Sequence, residues 1–170
     1  TILMLGADGA GKSTFLEVIK GNEEPKTKPT TGFMTWKLAL NEQTTVKFYD
    51  VGGHIKRRKI QRNYFYDCHA VVYMIDCGTD DKKWEDTVTL MKDTVSSSYL
   101  KGKPFLVLAN KQDRSDARGV GVVHRLVTDE LQLAHQQPVQ VTGPVCTPKD
   151  TDGVCDCRLG GALASGLCTR

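Results

Sequence analysis

Long hydrophobic runs, an excess of one charge and a dense cysteine framework are all missing from this sequence of 170 residues. Without a continuous apolar run of about 18 residues, no segment is predicted to span a membrane. The formal net charge of +3 is too small to argue for nucleic-acid binding, and none is expected. The six cysteines are too few for a disulfide scaffold, so we expect reduced thiols and a cytoplasmic protein.

The hydrophobic content of 39% suffices for a folded core, and the length is that of one ordinary domain. We therefore predict a single domain over residues 1–170, of which residues 143–170 form an atypical part. No Phe, Tyr or Trp lies beyond residue 105, and four of the six cysteines lie in the last 25 residues. Turn signals also follow one another closely from residue 143 onward.

Short apolar runs alternate with amphipathic stretches over the first 142 residues. This alternation has the spacing of βαβ units, and two of the strands flank a short turn at residues 41–43. The prediction is an α/β fold with a mostly parallel six-stranded sheet, one antiparallel edge strand and helices on both faces. Strands are predicted at residues 2–5, 34–40, 44–50, 70–75, 104–109 and 138–142, and helices at 12–20, 82–98 and 119–134.

Residues 6–13 read GADGAGKS and match the phosphate-binding pattern G-x-x-x-x-G-K-[ST] in full. They lie between a predicted strand and a predicted helix, which is the context that the motif needs. Its glycines let backbone N–H groups approach phosphate oxygens, and the helix N-terminus favours negative charge. Lys12 can reach the β- and γ-phosphates, and the Ser13 hydroxyl can bind Mg²⁺. The motif predicts a nucleoside triphosphate site without specifying the base.

The base is indicated by residues 110–113, which read NKQD and follow a buried strand. In open α/β sheets, ligand-binding loops lie at the carboxyl ends of strands. The carboxylate of Asp113 can accept hydrogen bonds from the N1 and N2 protons of guanine, a donor pair that adenine lacks. Guanine is therefore the predicted base, and an adenine-nucleotide kinase is disfavoured.

Two further segments carry groups suited to Mg²⁺ and the γ-phosphate. Residues 50–53 read DVGG, in which Asp50 can hold Mg²⁺ through water and the Gly53 N–H can meet a γ-phosphate oxygen. In residues 29–33, which read PTTGF, a threonine hydroxyl can complete the Mg²⁺ shell when GTP is bound. Their order and spacing relative to residues 6–13 favour a ligand site over ordinary turns.

With these motifs, the chain resembles small GTPases of the ADP-ribosylation factor (Arf) and Arf-like family over roughly residues 1–142. The resemblance rests on Asp8 inside the phosphate loop, on residues 29–33 and 50–53, and on the base motif at 110–113. It implies a P-loop NTPase G domain that alternates between GTP and GDP states, with a change of register in the hairpin of residues 34–50. We call residues 29–33 switch I and residues 50–66 switch II.

The resemblance also assigns site residues and partners. It implies Mg²⁺ ligation by Ser13, by Thr30 and, through water, by Asp50, and an aromatic effector surface of Phe33, Tyr49 and Tyr64, with Tyr49 replacing the usual Trp. It further implies an exchange factor, an activating protein and GTP-state effectors, a monomer peripheral to an intracellular membrane, and a role in membrane or intracellular trafficking. The nucleotide-binding residues are expected to be Asp8, Gly9, Ala10, Gly11, Lys12, Ser13, Thr14, Thr30, Gly53, Asn110, Lys111 and Asp113.

His54 departs from the family pattern. The family usually has Gln at this position, directly after the second glycine of switch II, where it orients the attacking water. We predict His54 and Gly53 as the catalytic residues. A histidine differs from glutamine in shape and protonation, so the hypothesis is slow intrinsic GTP hydrolysis together with reliance on an activating protein, or a long-lived GTP state.

The guanine-supporting loop, which should follow residue 142, is also unusual. A direct register uses residues 143–145, in which Pro144 has no N–H to donate to guanine O6. A shifted register over residues 145–147 would restore the donors, and both registers stay open. Together with His54, this stretch favours an alternative function, a nucleotide-holding scaffold G domain with little or no GTPase turnover.

The end of the chain is predicted to be the last helix, over residues 157–170. Leu159, Leu163 and Leu167 recur every four residues and give one apolar stripe. The glycines among these residues each weaken a helix by about 1 kcal/mol relative to Ala. A poorly packed or partly frayed helix is therefore expected.

Overall fold

The computed structural model describes residues 1–22, 24–54, 58–131, 139–148 and 155–159. Within these ranges, no helix combines the length and apolarity needed to cross a bilayer. Short 3₁₀ turns lie at Arg62–Tyr64 and Ser98–Leu100, and a π-helical turn lies at Leu126–Glu130. In chain order the elements are β1 (Ile2–Leu5), α1 (Lys12–Ile19), β2 (Phe33–Ala39), β3 (Thr45–Val51), α2 (Arg58–Gln61), β4 (Ala70–Asp76), α3 (Asp81–Val95), β5 (Phe105–Asn110), α4 (Val120–Arg125), β6 (Val139–Thr142), β7 (Pro144–Pro148) and β8 (Cys155–Leu159).

Six strands form one sheet in the order β2-β3-β1-β4-β5-β6. The pair β2–β3 is antiparallel, and every other pairing in this sheet is parallel. The predicted sheet is thereby confirmed, including its antiparallel edge strand. Strands β1, β4 and β5 are continuous apolar runs, which suit strands covered on both faces. Because β1, β3 and β5 run in the same direction, the loops that follow them collect at one edge of the sheet.

Consecutive residues of one strand supply two separate cores, because successive side chains point to opposite faces. Tyr73 of β4 belongs to a buried cluster with Met91 of α3 and Val123 of α4. Its neighbour Met74 belongs to a second buried cluster with Leu16 of α1. Helices therefore cover both faces of the sheet, as predicted.

Helix α3 shows how the local sequence sets both the start and the buried face of an element. The carboxylate of Asp80, just before the helix, accepts a hydrogen bond from the Lys83 N–H at 2.9 Å. This hydrogen bond lowers the pKa of Asp80. The buried side chains recur every three or four residues, which places them on one face toward the sheet. They are Thr87, Leu90, Met91, Thr94 and Val95.

Beyond residue 142 the structure differs from the prediction. Residues 157–159, predicted to begin the last helix, instead lie in β8, which pairs antiparallel with β7. Pro144 and Pro148 favour extended backbone at and just before their positions in β7. Pairing with β7 also satisfies the backbone polar groups along one edge of β8, which outweighs a weak helical stripe. The helix predicted for residues 160–170 lies outside the described residues.

Candidate nucleotide-binding site

The P-loop, residues 6–13, connects β1 to α1 in a tight turn. Gly11 has a φ of 98° and directly precedes α1. A Cβ at this position would lie 2.4 Å from Nδ2 of Asn110, so both the backbone and the available space require glycine. The Asn110 amide donates a hydrogen bond to the carbonyl oxygen of Ala10 at 2.8 Å. This bond joins the P-loop to residues 110–118, which we call the base loop.

Lys12 is a buried cation at the first position of α1, with 6% of its surface exposed. Its Nζ donates to the carbonyl oxygens of Gly6 at 3.2 Å and Ala7 at 2.9 Å. Burial lowers the pKa of Lys12, and the charges of Asp50 and Asp8 partly oppose that shift. An ammonium group removed from water is stabilised by a nearby anion, and the helix N-terminus also favours an anion. The P-loop is therefore suited to phosphate.

Three side-chain oxygens converge beside Lys12. The Ser13 hydroxyl donates to Oδ2 of Asp50 at 2.5 Å and lies 2.9 Å from Oγ1 of Thr30. The Thr30 hydroxyl donates to the same carboxylate oxygen at 3.3 Å. These groups come from α1, from switch I and from the end of β3, so the fold brings together the three predicted Mg²⁺ ligands.

The second carboxylate oxygen of Asp50 supports a cation at this point. Asp50 is fully buried, and its Oδ1 has no hydrogen-bond partner among the residues that the structure describes. A buried carboxylate oxygen without a partner is costly, and a divalent cation would compensate its charge. Hydroxyl and carboxylate oxygens are the donors that Mg²⁺ prefers. The residues present therefore fit a magnesium ion.

A cavity of about 230 Å³ opens above the P-loop, lined also by residues 27–30 and by the first glycines of switch II. Gly53 closes one side of it. A Cβ on Gly53 would lie 2.4 Å from the carbonyl carbon of Ala7 and 2.5 Å from the amide nitrogen of Asp8, so only glycine permits this approach. The Gly52 N–H donates to the carbonyl oxygen of Gly32 at 2.9 Å. Both switches therefore meet at the cavity.

Two residues that line the cavity, Thr27 and Lys28, were not predicted from the sequence. The Thr27 hydroxyl lies 2.9 Å from the hydroxyl of Thr14, which was predicted to bind nucleotide. Lys28 adds a cationic side chain to the same lining. Their only sequence signal was a loop rich in Thr and Lys, a composition that ordinary solvated loops share.

The base loop begins at the end of β5. Lys111 has a φ of 61°, and its Nζ lies 2.7 Å from a carboxylate oxygen of Asp76, the last residue of β4. Asp113, the predicted guanine acceptor, is exposed at the surface of the loop. The ends of two neighbouring strands therefore hold the base motif in place through one ion pair.

Arg118 fixes the far end of the base loop and was also missed from the sequence. Its guanidinium donates to the carbonyl oxygen of Thr79 at 2.6 Å, pairs with the carboxylate of Asp81 and lies 4.7 Å from the ring centroid of Trp84. Its backbone N–H donates to the carbonyl oxygen of Cys77 at 2.9 Å. These contacts join residues far apart in sequence, and no local pattern marks them.

The start of the predicted guanine-supporting segment lies beside the base loop. A Cβ on Gly143 would lie 2.8 Å from Cγ2 of Val120 and 3.4 Å from Cγ of Gln112 in the base loop. Residues 144–148 then continue as strand β7. Both registers of this segment stay open as predictions.

The predicted effector aromatics lie together on the surface. The ring centroids of Phe33 and Tyr64, and those of Tyr49 and Tyr64, are each 5.2 Å apart. His54 directly follows Gly53 and is exposed, at the end of a described range. The catalytic assignment of His54 and Gly53 stays a prediction.

Fold and site together define a P-loop G domain of the GTP-binding class. The sequence model of the ADP-ribosylation factor family matches residues 1–154. ADP-ribosylation factor-like protein 4C of Homo sapiens is 35% identical over 150 residues, covering 85% of this chain and 76% of that protein. ADP-ribosylation factor-like protein 3 of Saccharomyces cerevisiae is 34% identical over 122 residues, covering 68% of this chain. The chain belongs to the Arf family of small GTPases.

The lengths of the relatives and the solved structures add two facts. The match spans 61% of the yeast protein and 65% of ADP-ribosylation factor-like protein 14 of Mus musculus. A structure of the Arl6 BBS3 small GTPase from Trypanosoma brucei with a bound nucleotide analogue, GppNp, aligns with a TM-score of 0.68 at 19% identity, covering 84% of each chain. The mammalian SRP receptor aligns with a TM-score of 0.65 at 15% identity, covering 84% of this chain and 90% of that chain. The structural matches support the fold.

Proposed function

We propose that this protein is a GTP-binding molecular switch that slowly hydrolyses GTP and recruits effectors in its GTP-bound state. The meeting of Ser13, Thr30 and Asp50 beside Lys12 carries the proposal. It joins the phosphate loop and the two switch segments at one point, where a γ-phosphate and its metal ion would lie. Membership of the Arf family supports guanine nucleotide and Mg²⁺ as the ligands.

In this proposal, the P-loop amides and Lys12 bind the phosphates, and Asp113 selects guanine. Ser13 and Thr30 would hold Mg²⁺ directly and Asp50 through water. Bound Mg²⁺ would supply neutralisation of phosphate charge. Because Lys12 is buried and poorly hydrated, its charge acts on a phosphate oxygen more strongly than an exposed lysine would.

The switch itself would depend on contacts between the two switch segments. Thr30 and Gly53 would both respond to the γ-phosphate, and the Gly52 N–H to Gly32 carbonyl bond couples their movements. The hairpin pairs Phe33 with Val51 in this structure. A change of hairpin register would break that pairing and withdraw Thr30 from Asp50.

We assign slow turnover to His54. An imidazole in place of the usual glutamine presents a different donor and acceptor geometry to water. Single-turnover GTP hydrolysis by the wild type and by His54→Gln tests this assignment, and we expect the variant to be faster. Equal rates in the two proteins would contradict it.

The remaining parts of the proposal concern partners and location. An exchange factor, an activating protein and effectors would act on a peripheral membrane protein of the cytosolic face, in membrane or intracellular trafficking. Family membership supports these partners as a class without naming any of them. The chain itself is proposed to be a monomer.

The nucleotide content of the purified protein is the first test of the proposal. We expect GDP or GTP in the pocket, and GDP and GTP affinities that fall when Mg²⁺ is removed by chelation. Adenine nucleotide in the pocket would contradict the choice of base. Guanine nucleotide whose affinity does not change with Mg²⁺ would contradict the assigned metal ligands.

A scaffold G domain with little or no turnover is the second candidate. The observation that favours it is strand β7, because Pro144–Pro148 lies where a loop supporting guanine was expected. The same measurement separates the candidates. A protein that holds guanine nucleotide without hydrolysing it, or that copurifies with none and shows no measurable affinity for any, would favour the scaffold.

A further inference from the structure

One face of the β2–β3 hairpin carries two lysines beside the predicted effector aromatics. Antiparallel pairing sets Lys37 opposite Lys47 and Thr35 opposite Tyr49. Opposed residues share a face and alternate residues return to it, so Phe33, Lys37, Lys47 and Tyr49 lie on one face. Tyr64 packs on this face through its ring contacts with Phe33 and Tyr49. We call these five residues the lysine–tyrosine face.

Two like charges directly opposite each other destabilise a hairpin. None of the ion pairs between described residues includes Lys37 or Lys47. Lys47 instead donates a hydrogen bond to the Tyr49 hydroxyl at 2.8 Å, with its Nζ 4.6 Å from the ring centroid. An anion bound from outside would relieve the repulsion between the two ammonium groups.

The tyrosine hydroxyls add hydrogen-bond donors between the two lysines and the aromatic end of the face. Because the Tyr49 oxygen accepts from Lys47, its own proton is available for an external acceptor. Partial burial raises the pKa of Tyr64, and the nearby Tyr49 adds to the shift, so its hydroxyl also remains protonated. Phe33, at the other end, has 52% of its surface exposed. Donors and apolar surface are therefore adjacent.

We infer that the lysine–tyrosine face binds a protein segment that carries an acidic side chain next to an apolar one. The carboxylate meets Lys37, Lys47 and the Tyr49 hydroxyl, and the apolar side chain covers Phe33 and the ring of Tyr64. This deepens, and rests on, the proposed recruitment of effectors by the switch. An anionic membrane is the alternative occupant, and the vesicle measurement below tests it.

Selection from a random peptide library displayed on phage tests the inference. The target is the chain loaded with a non-hydrolysable GTP analogue. We expect the selected peptides to contain Asp or Glu within a few residues of Phe, Leu or Trp. Synthetic copies should bind Lys47→Gln and Lys37→Gln about fivefold more weakly than the wild type. Tyr49→Phe, which keeps the ring and removes the hydroxyl, should weaken peptide binding by a smaller factor.

Lys82→Gln on helix α3 is the matched control, because Lys82 is an exposed lysine on another element and its loss should not change the affinity. A peptide with Lys in place of its Glu should bind Lys47→Glu better than it binds the wild type. Selected peptides without acidic enrichment, or acidic peptides indifferent to Lys37 and Lys47, would overturn the inference. So would lysine-dependent binding to phosphatidylserine vesicles without any peptide selection.

Nucleotide content, measured on each protein used in the selection, keeps the two proposals separate. Acidic peptides that bind equally well to nucleotide-free protein would support peptide binding by this face and contradict its dependence on the switch. A chain that holds the GTP analogue but selects no acidic peptide would support nucleotide binding and contradict the inference about the lysine–tyrosine face. Thermal unfolding of each variant shows whether a weaker affinity comes from loss of the fold.

Discussion

The phosphate end and the base end of the site are held together in different ways. At the phosphate end, Lys12 bonds to P-loop carbonyls within six residues of itself, and glycines permit the close approach of the backbone. At the base end, Lys111 depends on Asp76, and Arg118 on Thr79 and Asp81, across 35 to 39 residues of chain. One end is built mainly from local backbone geometry, and the other from side-chain contacts between loops.

This difference predicts how each end responds to substitution. No neighbouring group can replace the charge of a cation buried among carbonyls. Its loss should therefore lower the affinity for every phosphate-bearing ligand to a similar extent. A loop held by several partly exposed contacts should weaken gradually, and chiefly in its choice of base and its rate of release. Four substitutions or conditions, from the largest expected effect to the smallest, test this contrast.

Lys12→Ala should have the largest effect. It removes the buried ammonium, and we expect GTP and GDP affinities to fall about a hundredfold, which corresponds to the loss of charge-assisted hydrogen bonds. Equilibrium binding of fluorescent GTP and GDP measures the effect. Lys26→Ala, in the exposed loop before switch I, is the control, and it should leave both affinities unchanged. A similar loss in the two variants would remove the special role of the P-loop lysine.

Asp113→Asn tests the base end directly. The amide cannot accept from both N1 and N2 protons of guanine, so we expect GTP affinity to fall about thirtyfold. The new N–H donor matches the C2 carbonyl of xanthine, and xanthosine triphosphate should gain affinity. Competition binding with the two triphosphates checks this exchange. Loss of both ligands without any gain would show that the base motif does not contact the base edge.

Arg118→Ala should have a smaller effect, confined to the base loop. We expect nucleotide to dissociate about fivefold faster, because the loop loses its contacts with Thr79, Asp81 and Trp84. Arg125→Ala is the matched control, since Arg125 is an exposed arginine at the end of α4, outside the base loop. Stopped-flow release of a fluorescent nucleotide distinguishes the two. Equal rates for both variants would show that Arg118 does not position the loop.

Cys77 should have the smallest effect of the four near neutral pH, because its contribution is a dependence of stability on alkaline pH. Burial raises the pKa of Cys77 to about 11 from 9.0, and the Asp76 carboxylate adds to the shift. The unfolded chain therefore loses this proton first, so the contribution to stability is complete below pH 9.0 and is lost as the pH rises toward 11.

Urea unfolding across that pH window measures the Cys77 contribution. The wild type should lose stability with pH more steeply than Cys77→Ala, in which this thiol is absent. The difference between the two slopes isolates Cys77 from lysine and tyrosine titration, which both proteins share. Identical slopes would mean that the thiol titrates equally in the folded and unfolded states.

Much of this architecture could be predicted because its signals are local. The apolar runs of β1, β4 and β5, the P-loop glycines and the acidic start of α3 each lie within a few residues of the element they define. Thr27, Lys28 and Arg118 could not be found in this way, since their roles come from contacts with other parts of the chain. Residues 157–159 show the converse, because strand pairing overrode a helical period.

The sequence by itself determined the order of the strands and main helices up to residue 142, the phosphate loop, the base motif and the identity of the residues that fit Mg²⁺. These depend on backbone chemistry and short spacings that a linear pattern records. Only the tertiary structure decided that the three oxygens meet beside Lys12, that Arg118 ties the base loop down and that Lys37 stands opposite Lys47. Such contacts depend on strand register and on the convergence of loops at one sheet edge, which no local pattern encodes.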